Sequence, residues 1–186
     1  EGINTEDDEG TLDFDNNGKT MFFTRCPNVK KQNLGCDIWM SKAKGREEWK
    51  EPIKLEIKPH DSVSVGHPCT EDGKFLIFAS DMPGGYGGRD LWYTRYDRKT
   101  ESWSTPVNMG PEINTKGNEK SPFMHSDSYT LYFSSDGHTG VGGQDVFYTN
   151  TGKLLVPKLW PAHTLGCCSL VFCAHFQSVR NQIFLA

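Results

Sequence analysis

The sequence predicts an all-β chain, a partial β-propeller of three visible blades built from antiparallel strands. Three observations predict it. A strand-like segment recurs at a fixed step, a turn dipeptide precedes each copy, and a glycine-rich turn with an aspartate-led second strand follows it. The first segment reads MFFTR at 21–25, LIFAS at 76–80 and LYFSS at 131–135, both steps being 55 residues. Units of about 40–50 residues with this content are propeller blades, each burying its apolar faces against its neighbours.

Each element has a physical reason. MFF, LIF and LYF are short runs of aromatic and branched residues, which suit strands buried on both faces. The turns before them are Asn17-Gly18, Asp72-Gly73 and Asp127-Ser128. Asn-Gly and Asp-Gly are hairpin dipeptides because a type I′ turn needs positive φ. The second strand reads DIWMS at 37–41, DLWYT at 90–94 and DVFYT at 145–149. In the later two units it follows GGYGGRD (84–90) and GVGGQD (140–145), where glycine lets the chain reverse without a Cβ clash. A Trp-x-x-Pro-[Ile/Val] segment then closes the unit, with Trp49, Pro52 and Ile53 in the first and Trp103, Pro106 and Val107 in the second. Proline there suits a strand end or edge. Ile-Asn-Thr at 3–5 recurs at 113–115, two periods on. The units are expected at about 3–57, 58–112 and 113–150, each with three or four strands.

The third unit departs from the pattern. The position expected for its closing tryptophan is Lys158, and Trp160-Pro161 is near but off the spacing. Composition changes at the same place. All 24 acidic residues precede position 150, so 17 basic residues leave that part at −7, while residues 151–186 carry +3 from Lys153, Lys158 and Arg180. That divergent apolar tail is expected to be a buried or partner-covered segment, a non-native stretch, or a membrane-surface or partner-binding element. Propellers typically have about four to eight blades. Three blades do not easily close a ring, so the chain is expected to be a fragment, to pair with other chains, or to self-associate through open blade edges.

The formal net charge of −4 and the lack of a basic run make nucleic acid and anionic membrane poor partners. No run of about 18 apolar residues is present, so no membrane span is expected. The chain begins at Glu1 with no Met and no signal peptide, and reads as a mature form, an excised domain or a fragment.

Signatures of chemistry are few. There is no Gly-x-Ser-x-Gly elbow, no P-loop and no His-Glu-x-x-His. The glycine clusters precede strands, where a phosphate cradle would need a helix N-terminus. DFDNNG (13–18) matches the first half of a calcium loop, but its twelfth position is Thr24 rather than a bidentate Glu, and Asn17-Gly18 is the repeat's own turn. It is read as a structural turn. EDDE (6–9) is read as a solvated loop. Asp37, Asp90 and Asp145 recur at one place in three units and are expected to cap turn amides, with carboxylates lining a pore or cation site as the alternative. His60, His67, His125, His138, His163 and His175 show no metal-ligand spacing and no equivalent repeat positions. A Ser-His-Asp set assembled in space is not excluded by the sequence. Cys26 and Cys36 flank a loop that a disulfide could staple in an oxidising compartment, or they stand as thiols. Cys69 has no obvious mate in the repeats, and the tail cysteines Cys167, Cys168 and Cys173 lack zinc spacing. No catalytic residue, metal ligand or cofactor is therefore assigned, and the ligand-binding residues stay unknown.

The segments 66–94 (GHPCTEDGKFLIFASDMPGGYGGRDLWYT) and 121–149 (SPFMHSDSYTLYFSSDGHTGVGGQDVFYT) resemble the TolB-like, WD40-like β-propeller repeat. The linker WSTPVNMGPEINTKGNEKSPF (103–123) is similar to the form found in bacterial envelope proteins with an OmpA-like domain, common in Bacteroidetes and type IX secretion. The resemblance covers about residues 3–150. It implies residence in the periplasm or at the outer membrane, and a non-catalytic binding or scaffold role toward a protein or a cell-wall glycan. Alternatives are the propeller portion of a peptidase or glycosidase, or a truncated product with no function of its own.

Overall fold

The computed structural model describes residues 2–28, 34–45, 48–125, 127 and 130–150, with the backbone of 163–164. Among the described residues the regular structure is all strand, and no helix is long and apolar enough to cross a membrane. Three antiparallel sheets follow one another along the chain. The first orders β1 (Asp8–Phe14), β2 (Thr20–Cys26), β3 (Asp37–Lys42) and β4 (Ile53–Lys54). The second holds β5 (Val65–Thr70), β6 (Phe75–Ser80), β7 (Asp90–Asp97), β8 (Ser102–Trp103) and β9 (Val107–Asn108), the last two both pairing with β7. The third orders β10 (Glu119–Met124), β11 (Thr130–Ser135), β12 (Asp145–Asn150) and β13 (His163–Thr164). This is a partial β-propeller, with the sheets as its blades.

The repeat's apolar triplets fill the space between blades. Phe22 and Ile38 of blade one meet Leu76, Phe78 and Trp92 of blade two in one buried cluster. Ile77 and Leu91, on the opposite face of blade two, meet Leu131, Phe133 and Phe147 of blade three in a second cluster. Strand alternation assigns these faces, because successive side chains point to opposite sides. The central strand of blade two is thus buried between two neighbours, and on the far face of blade three Tyr132 is only half-buried. The blades are also tied by polar bonds: Thr70 N–H donates to Asp13 Oδ2 at 2.9 Å, and Asn16 N–H to Glu71 O at 2.8 Å.

Gly18 and Gly73 take the positive φ expected of hairpin glycines, +63° and +69°, whereas Asn17 and Asp72 do not, so these turns are not type I′. The expected tryptophan strand is two short pieces rather than one. In blade two Trp103 pairs with Tyr96, the chain breaks at Pro106, and Val107 pairs with Tyr93. Proline has no N–H for the ladder, so the outer strand cannot run through it. Blade three recovers an outer strand that the spacing does not announce. His163 pairs with Tyr148 as Val107 pairs with Tyr93. Tyr148 follows Tyr93 by 55 positions while His163 follows Val107 by 56, so one extra residue hides the register. The rest of the tail, with Cys167, Cys168, Cys173 and His175, lies outside the described residues.

A candidate binding surface

The loops joining the second and third strands of each blade share one end of the propeller. In blades two and three the repeated aspartate organises this loop. Asp90 Oδ2 accepts from Tyr86 N–H at 2.5 Å and from Asn108 Nδ2 at 2.8 Å, and its Oδ1 accepts from Gly87 N–H at 3.0 Å. Asp145 Oδ2 accepts from Val141 N–H at 2.7 Å and Gly142 N–H at 3.0 Å. Both carboxylates are buried. Capping of turn amides is therefore what the repeated residue does here. The capped loops hold Tyr86 and Val141 outward, 50% and 75% exposed. Gly87 must be glycine, because a Cβ would stand 2.3 Å from Gly117 O. That close approach lets Gly88 N–H bond Gly117 O at 2.8 Å and seats the blade-two loop on the linker into blade three. Asn118 of that linker donates to Asp136 from its backbone at 2.6 Å and from its amide side chain at 3.1 Å, and the backbone bond chiefly holds the Asp136 carboxyl below its ordinary pKa.

Blade one uses different parts. Asp37 is buried, and its Oδ1 stands 2.8 Å from Lys58 Nζ, an ion pair rather than a well-angled hydrogen bond. The same ammonium donates to Gly35 O and Asp61 O at 3.3 Å and Cys36 O at 3.5 Å. Cys26 and Cys36 form a disulfide that closes the loop, which resolves the open choice between a staple and two thiols.

A second feature lies on the innermost strands. Thr11 of β1, His67 of β5 and Ser121 of β10 have φ of +31°, +52° and +50°. Each sits where the pairing with the next strand shifts register, so each marks a β-bulge. A residue with a Cβ costs on the order of 1 kcal/mol or more in this region, and such strain collects at functional positions. The bulges are chained by polar contacts. Thr11 and Thr24 hydroxyls are 2.7 Å apart, His67 N–H donates to Thr24 Oγ1 at 3.1 Å, and Ser121 Oγ lies 3.4 Å from His67 Nδ1. Burial, then the positive charges of Arg89 and Lys120, hold the His67 imidazole below its ordinary pKa. The result is a row of neutral hydroxyl and imidazole groups across three blades, flanked by two cations.

The other singled-out residues serve the fold. Asp15 Oδ1 accepts from Lys19 N–H at 2.7 Å and Thr20 N–H at 3.1 Å, so DFDNNG closes a hairpin turn. The acidic start is part loop and part strand: Glu6 and Asp7 precede β1, whereas Asp8 and Glu9 belong to it. Glu9 turns inward because Arg25 Nε meets its Oε1 at 2.9 Å and Thr5 Oγ1 donates to the same oxygen at 2.6 Å. His60 Nδ1 contacts Ser62 Oγ, His125 pairs with Asp127, and His138 Nε2 meets Ile113 O at 2.8 Å. The buried Cys69 Sγ accepts from Met124 N–H. Among the described residues no three His, Cys, Asp or Glu side chains converge as a metal site would require.

No protein-family model matches the sequence, and no curated protein matches it. Among solved structures the chain is similar to an α-L-arabinofuranosidase from Lactobacillus brevis, at 12% identity and a TM-score of 0.49. The likeness covers 82% of this chain and 52% of that one, so this chain spans about half the length of that structure.

Proposed function

We propose that this chain is a non-catalytic binding or scaffold module of the bacterial cell envelope, at the periplasm or outer membrane, engaging a protein or glycan partner. The observation that carries the reading is the use made of the repeated carboxylates. Asp90 and Asp145 are spent on loop amides, and what they hold outward is a tyrosine and a valine on fixed loops. Carboxylates doing acid–base work on a substrate need to face it, whereas pre-set aromatic and apolar loop residues lower the ordering cost of binding. The resemblance of residues 3–150 to TolB-like repeats supports an envelope setting, and the disulfide suits an oxidising compartment.

A photo-crosslinking residue in place of Tyr86, in cells of the source organism, tests the reading. The expected result is a discrete adduct in the envelope fraction, absent when the probe replaces Asp72 at the opposite end of blade two. Equal labelling from both positions, or none in the envelope, overturns it. Hydrolysis of glycosides or peptides by the purified chain, lost in Asp90→Asn, would favour the hydrolase alternative.

A further inference from the structure

We propose that Arg89, Lys120, Ser121 and His67 hold a doubly charged oxyanion, of the phosphate or sulfate kind, between the inner strands of blades two and three. Two cations without an acid point to it. Residues 1–150 carry all 24 acidic side chains, yet among the described residues neither Arg89 nor Lys120 forms an ion pair. The carboxylates nearby are engaged elsewhere. Asp81 Oδ1 accepts from Ser64 N–H at 2.8 Å. Asp136 takes the Asn118 backbone and amide. Glu119 is fully buried and accepts from Thr115 and Ser135.

The backbone fixes both cations around one point. Arg89 stands just before β7, its O accepting from Glu119 N–H at 2.7 Å, and it bridges Asn118 of the linker into blade three. Its Nη2 reaches Ser64 Oγ at 3.4 Å, just before β5 begins. His67 lies three positions further on. From the other side, Lys120 directly precedes Ser121 on β10, and Lys120 O accepts from Ser134 Oγ at 3.2 Å. Ser121 Oγ is 3.4 Å from His67 Nδ1, longer than a good hydrogen bond, so both groups keep capacity for a ligand. After burial, it is Arg89 and then Lys120 that hold the His67 imidazole below its ordinary pKa, so both charges reach this ring. The strained backbone of His67 and Ser121, both at positive φ, sits at the same place. Two cations match a dianion, and a guanidinium fork with an ammonium and a hydroxyl suits an anion of several oxygens. A carboxylate would leave one cation uncompensated. The site lies at the end of the inner strands that carries the Tyr86 loop, because Val65 pairs with Ser80 and Ser80 with Asp90. The inference does not depend on the envelope reading.

NMR of the histidine ring signals of the full chain tests it, with sodium sulfate titrated against sodium chloride at equal ionic strength. Sulfate stays doubly charged wherever imidazole titrates. A bound dianion offsets the two cations, so the pKa of the His67 ring should rise. The signals of His60, His125 and His138 should not respond, and His67→Gln identifies the responding one. Arg89→Met and Lys120→Met should each weaken sulfate binding by about tenfold or more. Lys99→Met, in the turn at the far end of blade two, should leave it unchanged. Among the described residues the only bond these two side chains make is the approach of Arg89 to Ser64, so both variants should keep the wild-type melting temperature. No response at His67, an equal response at every histidine, or full binding by both Met variants overturns the proposal. So does sodium acetate binding as tightly as sulfate. Phenyl phosphate then separates two sources of the anion. Competition with sulfate supports a group carried on a larger molecule, and its exclusion beside bound inorganic phosphate supports a free ion.

Discussion

Blade one and blade two place an aspartate at the head of the same strand and bury it by different means. In blade two the loop folds its own amides onto Asp90. In blade one the compensating charge comes from Lys58, a residue of the linker into blade two, and a disulfide closes the loop. The difference teaches that the repeat conserves a requirement rather than a set of contacts. A buried carboxylate must be paired or hydrogen-bonded, and amides on a tight glycine turn meet that need as well as one ammonium does. The cost of each solution differs. Blade two satisfies its aspartate with amides of its own loop and with the Asn108 amide 18 positions on, whereas blade one depends on an ammonium 21 positions away and on a covalent link.

The sharpest way to break the comparison is Lys58→Met. It leaves Asp37 buried without its charge partner and is expected to cost about 3–5 kcal/mol in denaturant melts. Adding Asp37→Leu should recover much of that loss, because removing both charges avoids the stranded one. Asp90→Ala follows, at about 3 kcal/mol, since two loop amides and the Asn108 amide lose a charged acceptor. Its effect should also appear as faster hydrogen exchange at Tyr86 and Gly87. Reducing the Cys26–Cys36 disulfide comes next, at about 2–3 kcal/mol for a loop of this length, and Cys26→Ser with Cys36→Ser should reproduce it. Reduction should leave the Tyr86 and Gly87 amides protected, because nothing in their loop is cross-linked. The smallest effect is a change of slope with pH. His67 has a folded pKa below 6.5, so the unfolded chain takes up a proton that the folded chain refuses. Stability is then full above about pH 6.5 and falls as pH drops through that value toward the lowered folded one. His67→Gln should flatten that part of the curve.

Much of the architecture was legible because it rests on short-range chemistry. The central strands, their hairpin glycines and the aspartate caps all follow from residue types within a few positions of one another. What escaped the sequence depends on distant partners. Lys58 carries no local mark, since its role is set by Asp37 across a loop. The bulges of Thr11, His67 and Ser121 share a backbone state but not a residue type, and their steps of 56 and 54 miss the 55-residue period. The Ile-Asn-Thr repeat was visible, yet Asn114 finds its partner in Leu91, 23 residues earlier. The outer strand of blade three was hidden by a single added residue.

The broken outer strand has a consequence for the molecule's behaviour in a crowded compartment. The rim pieces of blades one and two, β4, β8 and β9, are two residues long, and Pro52 and Pro106 stand directly before Ile53 and Val107. A fibril grows by adding chains to a run of unpaired amides, and it needs about six residues to begin. Those rims offer no such run. Ile53 and Val107 can stay 61% and 46% exposed there without seeding cross-β aggregation.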